Sequence, residues 1–154
     1  MRPNLIKVIK RLISFSPTNC IQTPPTLFFA MYVQEINSKY IFTDGEIISF
    51  KVNYQVPMEG GFVAEAEVAV KAKRTLPNDK FDYCTLILTF TAITSLFISE
   101  DFKHESKISD ITLKKLEDGN FYVSLHPFNT SNEPNEKDNF VIRAEGFTFD
   151  VINY

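Results

Sequence analysis

Apolar and polar side chains alternate with a period of two along most of the chain, from Tyr32 onward. A period of two places successive side chains on opposite faces of an extended strand, whereas a helix has a period of 3.6. In the segment 62–74, "FVAEAEVAVKAKR", every second residue from Phe62 to Ala72 is apolar, and the positions between them include Glu65, Glu67, Lys71 and Lys73. This alternation favours a half-buried strand, although Ala and Glu favour helices by intrinsic propensity. The pattern predicts a mainly β protein.

Turn residues separate the alternating runs. Asp44-Gly45 and Asp118-Gly119 each lie between two such runs, and Asp-Gly in this position predicts a β-hairpin. The segments 57–61, "PMEGG", and 75–80, "TLPNDK", predict two further turns. These turns predict consecutive antiparallel strands.

Two segments of the chain show less regular patterns. Residues 81–99 carry apolar and β-branched side chains on both faces, which predicts a central strand covered on both sides, or two strands separated by a bend near Thr94 and Ser95. The last run changes phase after Gly146, which predicts a bulge there. The fold class expected is an antiparallel sandwich or a strongly curved sheet of about seven or eight strands, with a short N-terminal helix.

Residues 1–30 form a separate, basic segment in this interpretation, and residues 31–154 form a single antiparallel β domain. Within "MRPNLIKVIKRLISF" the apolar residues recur at helical spacing between four cationic residues, which favours a short helix or a poorly ordered leader. A membrane-surface helix and a translation start at Met31 are alternatives. A secretory signal is disfavoured because Lys7, Lys10 and Arg11 interrupt the apolar run. No stretch has the length of a membrane span.

The composition favours a soluble domain with an aromatic core. The chain has 154 residues, with fifteen Phe, six Tyr and no Trp. The net charge of -3 argues against nucleic-acid binding, which needs a basic face, and mildly favours a basic partner. The two cysteines are too few for a disulfide framework. A core this aromatic needs neither disulfides nor a metal to fold.

The sequence lacks the residue patterns that catalysis or cofactor binding requires. The five glycines form no phosphate-binding motif, and His104 and His126 are too isolated for a zinc site. Cys84 lies in the most apolar segment, where a thiol is expected to be buried and unreactive. We therefore expect no enzymatic activity, no cofactor and no metal.

A long polar loop from His126 to Asn139 separates the last two predicted strands. Loops of this length in a compact domain are usually functional or mobile, and an exposed acidic loop suits recognition of a basic protein surface. A purely hydrophilic connector is the alternative. The candidate partner-binding residues are His126, Phe128, Glu133, Glu136 and Asp138.

The C-terminal third resembles small bacterial immunity proteins of toxin–immunity systems. The resemblance rests on an Asp-Gly hairpin, a Ser-Leu-x-Pro-aromatic step and an Asp-Asn-Phe-led final strand, with the residues Asp118, Gly119, Tyr122, Ser124, Leu125, Pro127, Phe128, Asp138, Asn139, Phe140, Ile142 and Ala144. It implies a cytoplasmic, non-catalytic protein that binds and neutralises a cognate toxin. The main alternative is a β-sandwich that holds a small apolar ligand among its aromatic residues. An enzyme with a site assembled from dispersed residues ranks last.

Overall fold

The structure is a computed structural model that describes residues 25–55, 63–99 and 107–153. In these residues a helix, α1 (Pro25–Lys39), precedes seven strands. The strands are β1 (Tyr40–Gln55), β2 (Val63–Leu76), β3 (Lys80–Phe97), β4 (Lys107–Ile108), β5 (Thr112–Lys115), β6 (Phe121–His126) and β7 (Asn139–Asn153). The basic segment for which a helix is predicted at residues 5–13 lies outside the described residues.

The strands form one antiparallel sheet in the order β4-β1-β2-β3-β7-β6-β5. The sheet curls into a half-barrel. The curved-sheet form of the predicted fold is therefore confirmed, together with its mainly β character and a helix on the N-terminal side. Curling allows one sheet to enclose its own core, because side chains from distant strands meet across the concave face.

The core fills this concave face with the inward side chains of every long strand. Phe90, Phe121 and Phe147 are each no more than 1% exposed. The ring centroids of Phe90 and Phe147 are 5.2 Å apart, and those of Phe121 and Phe147 are 5.8 Å apart. Each buried Phe contributes roughly 1.5 to 3 kcal/mol, so this aromatic cluster is a major stabilising element.

The helix α1 covers part of the concave face. Ile36 is fully buried, and the Tyr32 ring packs edge-on against Phe149 at 5.7 Å. Tyr32 and Ile36 are four residues apart and share one face of the helix. The expectation that strand alternation begins at Tyr32 is therefore wrong, since the helix runs through Met31 to Lys39 and the strands begin at Tyr40.

The Asp44-Gly45 dipeptide forms a bulge within β1, so the hairpin predicted there is wrong. On β2, Lys73 pairs with Ile41 and Lys71 pairs with Glu46, so residues 42–45 lie opposite the single residue 72. Asp44 has a φ of 64°. A Cβ on Gly45 would lie 2.6 Å from the carbonyl oxygen of Lys71. Asp44-Gly45 has the tight backbone conformation of a turn. The strand nevertheless continues, because the residues before and after this dipeptide both pair with β2.

The irregularity of the β3–β7 pair is on β3. The register is the same at Ala144, Gly146 and Phe147, which pair with Ile93, Thr91 and Phe90, and it shifts between Ile93 and Ser95. The bulge predicted at Gly146 is therefore wrong, although the change of phase is real because Ala144 and Phe147 are both buried. A Cβ on Gly146 would lie 2.1 Å from Thr91 Oγ1, so this glycine permits a close approach of the two strands.

β3 is a single strand, and its two faces differ in burial. The inward residues Cys84, Leu86 and Leu88 are fully buried. On the outward face Ile87 is half-buried and Tyr83 is 54% exposed. The outward face is therefore covered only in part, since Thr85 is 6% exposed whereas Phe81 and Tyr83 are each 54% exposed, and the expectation that both faces are covered is not met along the whole strand.

Two other predicted turns are confirmed, whereas the turn predicted at residues 57–61 lies outside the described residues. A short 3₁₀ turn, Pro77–Asp79, connects β2 to β3. The Asp118-Gly119 hairpin joins β5 to β6, with Gly119 at a φ of 88°. The inward side chains predicted for this hairpin are buried, as the alternation requires: Ile111, Leu113, Phe121, Val123 and Leu125.

Candidate partner-binding surface

The loop 127–138 lies over the outward face of β6. Inward and outward residues of this strand are both buried, with Tyr122 at 3% and Ser124 at 0% exposure on the outward side. The Ser124 hydroxyl donates to the backbone carbonyl of Asn139 at 2.9 Å. Burial of two polar outward residues shows that the loop forms part of the packed structure.

Asp138 holds this loop in place. Its carboxylate is 3% exposed and accepts three hydrogen bonds, from the Tyr122 hydroxyl at 2.6 Å, the Phe128 N–H at 2.8 Å and the Asn135 N–H at 3.1 Å. The bond partners lie at the start of the loop, near its end and on the strand beneath it. One buried carboxylate therefore fixes the path of the whole segment.

The same contact determines the protonation of Tyr122. Burial raises the pKa of the Tyr122 phenol well above its ordinary value, and the neighbouring Asp138 carboxylate raises it further. A phenolate beside a carboxylate in a desolvated site would be unfavourable. Tyr122 is therefore a neutral hydrogen-bond donor at physiological pH.

Asparagine side chains shape the loop and cap the edge of the sheet. Asn129 Oδ1 accepts the Ser131 N–H, and Asn135 Oδ1 accepts the Lys137 N–H, each at 3.0 Å. Such local bonds are typical of Asx turns. The loop is consequently built from tight turns.

The outer edge of β5 is satisfied by two amide side chains. Leu113 donates its N–H to Asn132 Oδ1 at 3.3 Å, and its carbonyl accepts a bond from Asn37 Nδ2 of α1 at 3.1 Å. Lys114, the next residue, forms an ion pair with Glu133 at 2.5 Å. These contacts protect an edge strand that would otherwise expose unpaired backbone groups.

An open groove of about 390 Å³ lies between the loop and the outward face of β3 and β7. Its lining includes Ser95, Phe97, Tyr122, Asn135, Glu136 and Arg143. Phe97 is 53% exposed, and Glu136 and Arg143 are exposed. The groove therefore combines an apolar ring with charges of both signs.

The five predicted partner-binding residues occupy different environments. Phe128 is 60% exposed, with Lys137 Nζ 4.9 Å from its ring centroid. Glu136 is exposed at the groove, while Glu133 is exposed but paired with Lys114. His126 is half-buried at the end of β6, opposite Asn139. Asp138 is buried and serves as the internal support of the loop.

Sequence reasoning did not select Phe97 and Arg143. Both are outward residues at the end of long strands, where the alternation marks them only as surface positions. Arg143 pairs across the sheet with Ser95 on one side and with Tyr122 on the other. Strand pairing alone brings Phe97 and Arg143 to the same groove as the loop.

Within the described residues, no three His, Cys, Asp or Glu side chains are grouped closely enough to hold a metal ion. In the same residues, no helix has the length and apolar character needed to cross a membrane.

Cys84 is a free thiol, and burial raises its pKa. This buried position agrees with the prediction of a structural cysteine.

Comparison with known proteins adds no relative. The sequence matches no protein-family model and no curated protein, and the fold matches no solved structure.

Proposed function

We propose that the protein is a non-catalytic binding protein that recognises a protein partner through its loop face, defined as the exposed side of residues 127–138 together with the adjoining groove. The observation that carries this proposal is the anchoring of an irregular surface loop by the buried Asp138 carboxylate. A loop that is already ordered loses less conformational entropy when it binds, so it is well suited to recognition.

The exposed residues of the loop face have the character of a protein interface. Phe128 and Phe97 are 60% and 53% exposed, and the exposed Arg143 guanidinium lines the groove together with Phe97. Aromatic residues and arginine are enriched among the side chains that contribute most to protein–protein affinity. A protein surface is therefore a better match than a small metabolite.

Among protein partners, a bacterial toxin is the hypothesis that the resemblance of the C-terminal third favours. The chain would then act in the cytoplasm, where it would bind and neutralise the toxin. The net charge of -3 suits a basic toxin. Because Asp138 is buried and Glu133 is paired with Lys114, Glu136 is the loop acid best placed to meet a cation of that toxin.

The alternative, a small apolar ligand inside the half-barrel, has less support. The rings of Phe90, Phe121 and Phe147 pack against one another in the interior. The groove of about 390 Å³ and a second cavity of about 410 Å³ beside α1 both lie at the surface. A ligand in the interior would have to displace these rings.

The test is co-expression with the product of the neighbouring gene as the candidate toxin. We expect the wild-type chain to restore growth and to co-purify with the toxin. Phe128→Ala should weaken the complex by about 30-fold, as loss of an aromatic hot spot does. Phe81→Ala removes a ring of similar exposure, 54%, at the far end of β3 and is the matched control.

Two outcomes would count against the proposal. Absence of both growth rescue and a complex with the wild-type chain would argue against a toxin-binding function. Equal weakening by Phe128→Ala and Phe81→Ala would show that the loop face is not the binding surface.

A further inference from the structure

We propose that the groove receives the carboxylate of an acidic side chain of the partner protein on Arg143, and that a basic side chain next to it on the partner meets Glu136. This inference rests on the proposed function, since it specifies the chemistry of the partner at the same surface.

Arg143 is held at the centre of a row of outward residues. Across the sheet, Ser95 of β3 pairs with Arg143 of β7, Arg143 pairs with Tyr122 of β6, and Tyr122 pairs with Lys114 of β5. The guanidinium carbon lies 5.6 Å from the centroid of the Tyr122 ring. A guanidinium over an aromatic face is oriented before any ligand arrives.

The platform beneath Arg143 is itself fixed. Tyr122 is 3% exposed, and its hydroxyl is bonded to the buried Asp138 carboxylate at 2.6 Å. The ring therefore has little freedom to turn, and the phenol is neutral. Arg143 consequently has a fixed aromatic surface beneath it and a defined orientation.

Arg143 forms no ion pair with another described residue, and the Asp118 carboxylate acts on it only at longer range. Among the described residues, Lys114 in the same row pairs with Glu133, and the ion pairs at other sites likewise leave Arg143 out. An exposed, pre-oriented guanidinium without a carboxylate is suited to accept one, because its planar fork matches the two carboxylate oxygens.

The rest of the groove defines what surrounds that carboxylate. Phe97 offers an apolar surface, and the polar side chain of Asn135 lines the same groove. Glu136 places a negative charge at the same groove. A free anion would be repelled by Glu136, whereas an acidic side chain with a basic neighbour satisfies both charges.

The experiment is an NMR titration of the ¹⁵N-labelled full chain with the peptide acetyl-Leu-Glu-Lys-amide, whose blocked ends leave the Glu side chain as its only carboxylate. We expect a dissociation constant on the order of 1 mM, since this is one contact of a larger interface. The signals of Arg143, Ser95 and Asn135 should shift. The same peptide with Gln in place of Glu should have a dissociation constant at least about tenfold higher.

Matched variants separate this contact from general charge attraction. Arg143→Gln should lower the affinity for the Glu peptide by about tenfold, and Arg143→Lys should lower it by less, because a lysine keeps the charge but not the fork. Lys71→Gln is the control, since Lys71 also lies over a tyrosine ring, 5.7 Å from the Tyr83 centroid. It should leave the affinity unchanged.

Three results would each overturn the proposal. The first is equal binding of the Glu and Gln peptides, and the second is an equal effect of Arg143→Gln and Lys71→Gln on the affinity. The third is the absence of any shift of the groove signals up to the solubility limit of the peptide. Failure of toxin neutralisation with an Arg143-dependent peptide contact would instead refute the proposed function and leave the carboxylate site in place. Neutralisation without the peptide contact would refute only the carboxylate site.

Discussion

Replacing Asp138 by asparagine should detach the loop 127–138 from β6. The change is nearly isosteric, so it alters hydrogen bonding without creating a cavity. Asparagine keeps one oxygen for the Phe128 N–H, but its NH₂ group would face the Asn135 N–H and the Tyr122 hydroxyl, which the carboxylate now accepts at 3.1 Å and 2.6 Å. The hydroxyl can rotate to accept a bond, whereas the Asn135 N–H would face a second donor.

The magnitude follows from these three bonds. A hydrogen bond to a charged group contributes about 1.5 to 3 kcal/mol, and a neutral one about 1 kcal/mol. Two weakened bonds, at a loss of about 0.5 to 2 kcal/mol each, and one lost bond of about 1.5 to 3 kcal/mol therefore predict a loss of about 2.5 to 7 kcal/mol in the free energy of unfolding. At about 3 °C per kcal/mol for a chain of this size, this corresponds to a fall of about 8 to 20 °C in Tm.

The assay combines thermal unfolding with amide hydrogen exchange. Exchange of the Phe128 and Asn135 amides should accelerate more than that of core amides, because the loop can open locally before the sheet unfolds. Asp150→Asn is the control, since it makes the same chemical change at an exposed position of β7. The reasoning is refuted if Asp138→Asn matches this control within about 0.5 kcal/mol and its loop amides exchange at the wild-type rate.

Three further predictions concern other contacts. Because folding raises the Tyr122 pKa, the contribution of Tyr122 to stability should be fully present below the ordinary value of 10.0 and be lost as pH rises above it. In pH-dependent denaturation the Tyr122→Phe variant should show a smaller loss of stability at alkaline pH than the wild-type chain, and an equal loss would contradict this assignment. In urea unfolding, Gly45→Ala should destabilise the protein more than Gly146→Ala. A Cβ at Gly45 would meet backbone oxygens, whereas a Cβ at Gly146 would meet the Thr91 hydroxyl, which can rotate away. The reverse order of stabilities would contradict this reasoning. Asn132→Ala should speed exchange of the Leu113 amide and cost about 1 kcal/mol, and unchanged exchange would contradict the edge cap.

Much of the candidate surface could not be predicted from the chain alone. The loop was recognisable from its length and polarity, and Phe128 and Glu136 are exposed as a surface role requires. Asp138 has the same chemistry as these neighbours in the sequence, yet it is buried. Its environment depends on Tyr122, 16 residues earlier, which the curl of the sheet and the path of the loop place beside it.

The alternation of apolar and polar residues by itself determined the strands β2, β3, β5, β6 and β7 and most of the side chains that point inward, because the pleat assigns alternate residues to opposite faces whatever the partner strand. It did not predict the two-residue strand β4, which lies in a polar segment. Local pattern was insufficient at Asp44-Gly45 and Gly146, where a neighbouring strand decides whether a turn sequence reverses the chain or is absorbed within a strand. The tertiary structure alone decided the curvature, the covering of β6 and the meeting of Arg143 with Tyr122. These features depend on contacts between residues far apart in the chain, and no short stretch of sequence carries that information.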